Sequence, residues 1–365
     1  MNTSGPMERQ RESTLVHWLT TCVAAFGILL STVLAGEVGT AWADENQSQI
    51  WPVKRKLVSK DGDRSEDVSG IACIGEGFPR SCLVIDDKMQ AAQFVTLENG
   101  ELTAGETIRL IHNQFADKAL ELDGEGVAYA DHSFYVMGSH GHPRDKEKKL
   151  DPVANAAEIR AKMQASSQVA RIRVSSTSAV PMSGSDVMEI KSSPKLRDII
   201  AAEPTLSRFL DRRLENNGIT IEGIAVVGAR LIAGFREPSL ENGRSPVLSV
   251  SVGSLYGPDA AEPKVFLLPL GEGRGVRDLA PFENGLLVLA GPAGDEAGSY
   301  SVYWWTMENE EIRFLADITK ATDASKQRKP EAILPLDKGP SGLRVLILSD
   351  GAKEGEPRAI VVPAP

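Results

Sequence analysis

The chain has 365 residues, of which 42% are hydrophobic and 25% charged, and its formal net charge is −10. A chain of this length can bury a sizeable core as a single all-β domain. Its acidic balance excludes a broad basic footprint for nucleic acid or for an anionic membrane surface.

The N-terminus carries the features of an export signal. Basic residues precede an apolar run from about Leu15 to Leu34, and Ala41 and Ala43 then supply the small side chains that a signal peptidase recognises. We predict a signal peptide over residues 1–43 and a periplasmic or secreted domain over residues 44–365. An uncleaved anchor is the alternative, because the apolar run is near the length that spans a bilayer.

Two cysteines, Cys73 and Cys82, remain after the signal peptide is removed, and they flank a Gly-rich segment typical of a hairpin turn. Disulfides persist in exported proteins. We therefore predict a cross-strand disulfide between these two cysteines. Two reduced, packed thiols are the alternative.

One phrase recurs five times along the chain: a small or acidic residue, often followed by Gly, then an apolar-Ala step, a turn and an apolar strand. The copies start at Ser69, Glu125, Glu222, Asp278 and Glu331. Most starts lie about 55 residues apart, and a period of this size with four short strands is typical of propeller blades. The sequence predicts an all-β fold, a β-propeller of four-stranded blades with five blades counted.

The interval between the second and third copies is longer because it contains an insertion. Helical patterns run over about 151–165 and 193–217, with Pro and Asn-Gly where helix caps are expected. A sixth, degenerate blade inside this insertion is the alternative to five. The last copy lacks a fourth strand, and we expect the segment from Ile50 to Val58 to supply it and so close the ring.

Polar residues at the phrase starts, and just after the second strand of each blade, should share one end of the propeller channel. We expect a ligand site at this mouth. The candidate ligand-binding residues are Asp67, Ser69, Asp87, Glu125, His140, Arg144, Glu222, Arg236, Arg277, Asp278, Glu331 and Asp350.

Carboxylates that face one another across a channel repel unless a cation or a hydrogen-bond donor compensates them. Calcium takes about six to eight oxygen ligands, so Ca²⁺ is the candidate cofactor, with Glu125, Glu222, Asp278 and Glu331 as candidate metal ligands. Arginines such as Arg236 could instead pair with these carboxylates or bind an anionic ligand. The structural alternative is that each acid accepts backbone N–H groups of its neighbour and sets the blade spacing.

His140 and Arg236 are the candidate catalytic residues. His140 and His142 stand beside Arg144 in the densest polar segment of the chain and could act as acid and base or ligate a metal. A solvated loop is the alternative, since no third ligand with metal-site spacing follows. The sequence contains no Gly-x-Ser-x-Gly, His-Glu-x-x-His or Cys-x-x-Cys motif.

Five stretches together resemble the bacterial family known as domain of unknown function 3616, with a similarity that runs from about Asp67 to Arg358. These stretches are Leu122–Asp131, Gly138–Gly141, Ile221–Ala225, Gly275–Ala280 and Lys329–Ala332. The resemblance implies the fold and the export rather than a reaction. More remotely, the Glu-Gly-hydrophobic-Ala step resembles exported propellers of the phytase-like esterase group, which implies a phosphoester or ester hydrolase with bound calcium.

We expect a monomeric binding or scaffold protein whose acidic, Arg-lined channel mouth holds a small-molecule or protein ligand. No nucleic acid partner is expected, and no membrane contact beyond the signal peptide. The alternative is a metal-assisted hydrolase of phosphoesters or esters, with Ca²⁺ on the ring carboxylates and with His140 or Arg236 at the substrate.

Overall fold

Five β-sheets follow one another along the chain as the blades of a propeller. The structure is a computed structural model, and it describes residues 48–144, 150–175 and 180–365. The predicted signal peptide lies outside these residues. Among the helices of the described ranges, none has the length and apolar composition needed to cross a membrane.

The first blade follows two short strands near the start of the described chain. Strands β1 and β2 are Gln49–Ile50 and Val53–Lys54. The blade itself consists of β3 (Val68–Cys73), β4 (Arg80–Asp86), β5 (Ala91–Glu98) and β6 (Glu101–Arg109). Its innermost two strands carry the predicted disulfide, because Cys73 and Cys82 lie directly opposite each other in the β3–β4 register and are bonded. The disulfide prediction is confirmed.

The second blade contains the predicted helical insertion. A small hairpin, β7 (Gln114–Phe115) and β8 (Lys118–Ala119), precedes β9 (Gly124–Ala130), β10 (Ser133–Gly138), α1 (Ala156–Ser166), β11 (Val169–Val174), β12 (Val187–Ser193) and α2 (Lys195–Ala202). Helix α1 connects two strands of this blade, and α2 connects the blade to the next. Neither helix belongs to a further sheet, so five blades are confirmed and the six-blade alternative is wrong.

The last three blades follow the predicted period. The third consists of β13 (Thr220–Val227), β14 (Arg230–Glu237), β15 (Ser245–Ser251) and β16 (Lys264–Leu268), with α3 (Val252–Tyr256) between the last two strands. The fourth consists of β17 (Arg274–Phe282), β18 (Gly285–Pro292), β19 (Ser301–Trp305) and β20 (Ile312–Asp317). The fifth consists of β21 (Lys329–Gly339), β22 (Gly342–Asp350) and β23 (Arg358–Val362). Short 3-10 turns cover Gly184–Asp186, Ser207–Phe209, Leu214–Asn216, Glu241–Gly243 and Lys353–Gly355.

The N-terminal segment closes the ring, as predicted, but in two steps. Strand β1 pairs antiparallel with β23 and completes the fifth blade, with Gln49 opposite Ala359. Strand β2 then pairs parallel with β6 at the outer edge of the first blade. Trp51, between the two strands, is buried. The predicted closing strand therefore begins where expected but is divided between the last blade and the first.

The inner strands of neighbouring blades approach closely, which explains the glycine in several copies of the phrase. A Cβ atom added at Gly126 would lie 2.7 Å from the backbone oxygen of Glu222, and one at Gly70 would lie 2.8 Å from the Cα atom of Gly126. Only glycine leaves room at such a contact. The residue before each of these glycines is therefore held close to the propeller axis by backbone contacts.

Candidate functional site

Each blade has a β-bulge at the start of its innermost strand. In every blade the register between the first and second strands skips one residue at this point. A bulge leaves its extra residue unpaired and turns the side chain away from the regular alternation. The five skipped residues are Ser69, Glu125, Glu222, Arg277 and Glu331.

These five bulge residues are buried and come from five different blades. In the fourth blade the skipped residue is Arg277, whereas the sequence phrase was aligned on Asp278. Asp278 is instead equivalent to Gly126 and faces the next blade, where its carboxylate accepts hydrogen bonds from the N–H groups of Ile333 and Leu279, both at 2.8 Å. Asp278 thus fits the structural alternative, in which an acid sets the spacing between blades.

Three of the bulge residues are joined by ion pairs. Arg277 contacts Glu331 through Nη2, and its Nε lies 2.8 Å from Oε2 of Glu222 without the alignment of a hydrogen bond. Arg236 donates from Nη1 to the other oxygen of Glu222 at 2.9 Å. We call Glu222, Arg236, Arg277 and Glu331 the arginine network. Ser69 extends it to the first blade, since its hydroxyl lies 3.4 Å from Glu331.

Arg236 also fixes a loop of the fourth blade. Its Nε donates to the carbonyl of Ala293 and its Nη2 to that of Gly294, both at 2.6 Å. Arg236 and Arg144 both contact Asp295 at 3.2 Å. Burial lowers the pKa of Arg236, but the ion pairs with nearby carboxylates outweigh it and raise the pKa overall. The Arg236 guanidinium therefore forms its contacts within the protein.

Glu125 differs from the other acidic bulge residues because no described side chain pairs with it directly. It is 7% exposed, and within the residues that the structure describes its carboxylate makes neither a hydrogen bond nor an ion pair. Burial raises its pKa well above the ordinary value, and the nearby charges of Asp123, Glu222 and Asp87 raise it further. Glu125 is thus a buried carboxyl to which the described part of the chain supplies no direct partner.

Further carboxylates gather on the same side of the mouth. Asp67, Asp86 and Asp87 each place an oxygen within 4.8 Å of the others, an arrangement that could hold a metal ion. Asp123 contributes a fourth carboxylate that accepts a short hydrogen bond from Ser139. We call Asp67, Asp86, Asp87, Asp123 and Glu125 the acidic cluster.

One basic side chain is in ion-pair contact with the acidic cluster in the described part of the chain. Lys88 places its Nζ 2.6 Å from Oδ2 of Asp87. Even so, burial raises the pKa of Asp87 to about 8 against the effect of Lys88, and burial raises that of Asp86 to about 6. The second oxygen of Asp87 is buried and has no hydrogen-bond partner among the described residues. Among the described residues, the five carboxyl groups of the cluster thus share one ion-paired lysine.

The remaining candidate residues lie around these two groups. Asp350 pairs with Lys329 at 3.3 Å, and its charge reaches Glu331. His140 is fully buried, its Nδ1 lies 2.8 Å from the carbonyl of Gly138, and its Nε2 has no partner in the described ranges. Burial lowers the pKa of His140 to about 4, so the ring is neutral at physiological pH.

The sequence pattern predicted Asp67 and Asp87 as site residues but not Asp123. Its signal was local: Asp123 precedes Gly124 and adopts a left-handed backbone with φ of 55°, which turns the chain just before the bulge at Glu125. The four proposed calcium ligands are not equivalent. Glu222 and Glu331 are paired with arginine and Asp278 with backbone N–H groups, whereas Glu125 has no such pair among the described residues.

A family model described as a protein of unknown function, DUF3616, matches residues 79–359. The comparison with curated proteins found no match.

The chain is similar to several solved structures at very low sequence identity. A β-1,3-galactosidase of glycoside hydrolase family 43 is 7% identical with a TM-score of 0.41, and the match covers 87% of this chain and 60% of that one. An α-L-arabinofuranosidase from Podospora anserina is 10% identical with a TM-score of 0.44, covering 89% and 98% of the two chains. A virginiamycin B lyase from Staphylococcus aureus is 11% identical with a TM-score of 0.35, covering 85% and 72%. Such likenesses carry no argument about activity.

Proposed function

The chain belongs to the DUF3616 family of proteins of unknown function, and we propose that it is an exported binding protein whose channel mouth takes a cationic ligand on the acidic cluster. A divalent metal ion such as Ca²⁺ is the simplest ligand of this kind, since it binds several carboxylate oxygens at once. We also propose that the protein is a monomer. The disulfide between Cys73 and Cys82 supports export, because such bonds persist outside the cytoplasm.

Glu125 is the observation that carries the proposal. A buried carboxylate without a partner costs free energy, and proteins compensate such a group by protonating it or by pairing it. Here the neighbouring carboxylates of Asp87 and Asp123 oppose its ionisation further. A bound cation would compensate all three groups together, which no described side chain does.

The arginine network indicates that the ligand carries a positive charge. An anionic ligand would need free guanidinium N–H groups, but Arg236 and Arg277 direct theirs to Glu222, Glu331 and backbone carbonyls. Breaking buried ion pairs to admit an anion would be costly. A cation requires no such exchange at the acidic cluster, where Lys88 is the group that would have to move.

The hydrolase alternative has no comparable support. It requires an acid or base beside the bound cation, and the two candidates do not meet that need. Arg236 is held in ion pairs, and no described contact brings the buried His140 ring to the acidic cluster. We therefore propose binding rather than turnover.

The test is calorimetric titration of the chelator-treated protein with Ca²⁺, Mg²⁺ and putrescine, together with thermal unfolding in each. We expect saturable binding of at least one cation and a higher melting temperature, since a ligand at a hundredfold excess over its Kd stabilises by about 2.7 kcal/mol. Asp87→Asn and Glu125→Gln should weaken binding by about tenfold or more. Glu311→Gln, which changes an exposed carboxylate just before the outer strand β20, is the matched control and should bind as the wild type does. Absence of binding by all three cations at millimolar concentration would refute the proposal.

A further inference from the structure

A second polar region lies at the opposite end of the second blade from the channel mouth. An open cleft of about 510 Å³ is formed there by the β9–β10 turn, strand β11 and the start of α3 at Val252. Small-molecule sites commonly measure about 300 to 1,000 Å³. The cleft therefore has the size of a ligand site, and it shares no residue with the acidic cluster or the arginine network.

The charge of this cleft is opposite to that of the acidic cluster. Its lining contains Arg171, Arg173 and His132 against the single carboxylate of Asp131. The two arginines are two positions apart on β11, so they lie on the same face of the strand. Both turn to one further carboxylate, Glu189, at 3.0 and 3.8 Å. Two guanidinium groups thus share one partner, in a protein whose net charge is −10.

Arg171 is held in place as a donor. Its guanidinium lies over the ring of Tyr256 at 4.5 Å, and the Tyr256 hydroxyl donates to the carbonyl of Val169 at 3.0 Å. The Nε atom of Arg171 is buried without a hydrogen-bond partner among the residues that the structure describes. An arginine on an aromatic platform presents a planar fork that matches a carboxylate or a phosphate.

Arg173 and Glu189 can rearrange around this fixed arginine. The Arg173 side chain is 50% exposed and that of Glu189 is 43% exposed, and Glu189 belongs to the outermost strand of the blade. An exposed ion pair at such a separation contributes little to stability. Glu189 therefore acts as a replaceable internal carboxylate, one that an incoming anion can substitute.

We propose that this cleft binds the oxyanion group of a small ligand, a carboxylate or a phosphate, with Arg171 and Arg173 as its donors. Met188, which also lines the cleft and is 62% exposed, offers an apolar surface for the body of the ligand. This inference is independent of cation binding at the channel mouth.

The test is titration of the protein with inorganic phosphate and with benzoate, followed by calorimetry and by NMR of the backbone N–H groups of residues 131–135 and 171–174. The two probes distinguish a phosphate from a carboxylate. Arg173→Gln should weaken binding of the preferred probe by about tenfold, because a charged hydrogen bond is lost. Arg173→Lys keeps the charge without the fork and should lie in between.

Glu189→Gln gives the sharper result, since it removes the competing carboxylate and should increase affinity several-fold. Arg344→Gln is the matched control, because Arg344 forms a similar exposed pair with Asp337 on the fifth blade, and its binding should match the wild type. Lack of saturable binding for both probes up to about 20 mM, or equal binding by Arg173→Gln and wild type, would overturn the proposal.

Discussion

The acidic cluster and the arginine network occupy the same channel mouth, and each takes an acidic residue from the same bulge position. Glu222 and Glu331 are neutralised by Arg277 and Arg236, whereas Glu125 has no partner in the described part of the chain. The repeated sequence pattern thus places a carboxylate at the propeller axis in three blades. Where an arginine pairs with this carboxylate, the ion pair stabilises the ring. Where no described arginine does so, we propose that a ligand takes its place.

The difference is energetic. Removing a charge from water costs several kcal/mol, and only a well-placed partner offsets that cost. In the arginine network burial raises the pKa of Glu331 to about 7 although Arg277 opposes the effect. In the acidic cluster no described arginine forms an ion pair with Glu125, although the charge of Arg144 reaches it, and burial raises the pKa of Glu125 well above the ordinary value. By this criterion the first group is structural, and the second is the group to which we propose that a cation binds.

The strongest test of this contrast is removal of its central arginine. Arg277→Met leaves Glu222 and Glu331 as buried carboxylates that have lost a shared partner, so we expect unfolding free energy to fall by about 3 to 5 kcal/mol. Urea unfolding measures this loss. Arg313→Met, an exposed arginine on an outer strand, should change stability by less than about 0.5 kcal/mol. Equal effects of the two changes would contradict a structural role for Arg277.

The next largest effect should come from Asp278. Asp278→Ala leaves the N–H groups of Ile333 and Leu279 without their acceptor, and we expect a loss of roughly 2 to 4 kcal/mol. Cation binding at the acidic cluster should not change, because Asp278 faces the fifth blade. Chemical denaturation and calorimetric titration of one variant separate the two properties. Weaker Ca²⁺ binding at unchanged stability would place Asp278 among the ligands instead.

The same isosteric change at two bulge positions should have opposite signs. Glu125→Gln replaces a buried carboxyl that has no partner among the described residues with a neutral amide, so it removes the cost of ionising that group and should raise the stability of the cation-free protein by about 1 kcal/mol. Glu331→Gln deprives Arg277 of a charged partner and should lower stability by about 1 to 3 kcal/mol. Thermal unfolding in the presence of a chelator compares them directly. A loss of stability in both variants would mean that Glu125 is paired as its counterpart is.

The smallest effect concerns pH. Unfolded carboxyls titrate with a pKa near about 4, whereas burial raises the pKa of Asp86 to about 6 and that of Asp87 to about 8. Between these values the folded protein binds more protons than the unfolded chain, so stability falls as the pH rises. Glu237 and Glu331, both at about 7, act in the same direction.

We expect the melting temperature of the chelator-treated protein to fall by at least about 2 °C from pH 5 to pH 8. Scanning calorimetry across that range checks it. Asp87→Asn, which cannot titrate, should show a shallower fall, and Ca²⁺ should restore stability most at pH 8. A melting temperature that rises steadily through this interval would show that other groups dominate.

The fold was largely predictable because each blade repeats a pattern that is visible in the chain. The five copies of the phrase, the position of the insertion, the Cys73–Cys82 bond and the closing N-terminal strand follow from spacing and composition. The division of that strand into β1 and β2 could not be predicted in this way, because Trp51 is one more apolar residue in the sequence pattern. Its burial between two blades depends on tertiary contacts.

The sequence predicted which region of the propeller contains the candidate site, but not how its side chains pair. A bulge shifts the register by one residue, and alternation of side chains does not reveal it. The phrase was therefore aligned on Asp278, whereas Arg277 takes the bulge position. The pairing of Arg236 with Glu222 joins the two innermost strands of one blade across a second irregularity. The sequence suggested three kinds of partner for the carboxylates: a cation, an arginine or backbone N–H groups. It did not show which partner belongs to which carboxylate.

The way the ring closes has a consequence for how this molecule is made. Ser48 and Arg358 hydrogen bond to each other across 310 residues of sequence, beside the pairing of β1 with β23. The residues of β1 therefore stay unpaired until nearly the whole chain has been synthesised. Late contacts of such long range slow folding, and the open edges of the first and last blades are then accessible to chaperones and proteases. Any ribosomal stall or premature stop before β23 would release a chain that cannot complete its circle.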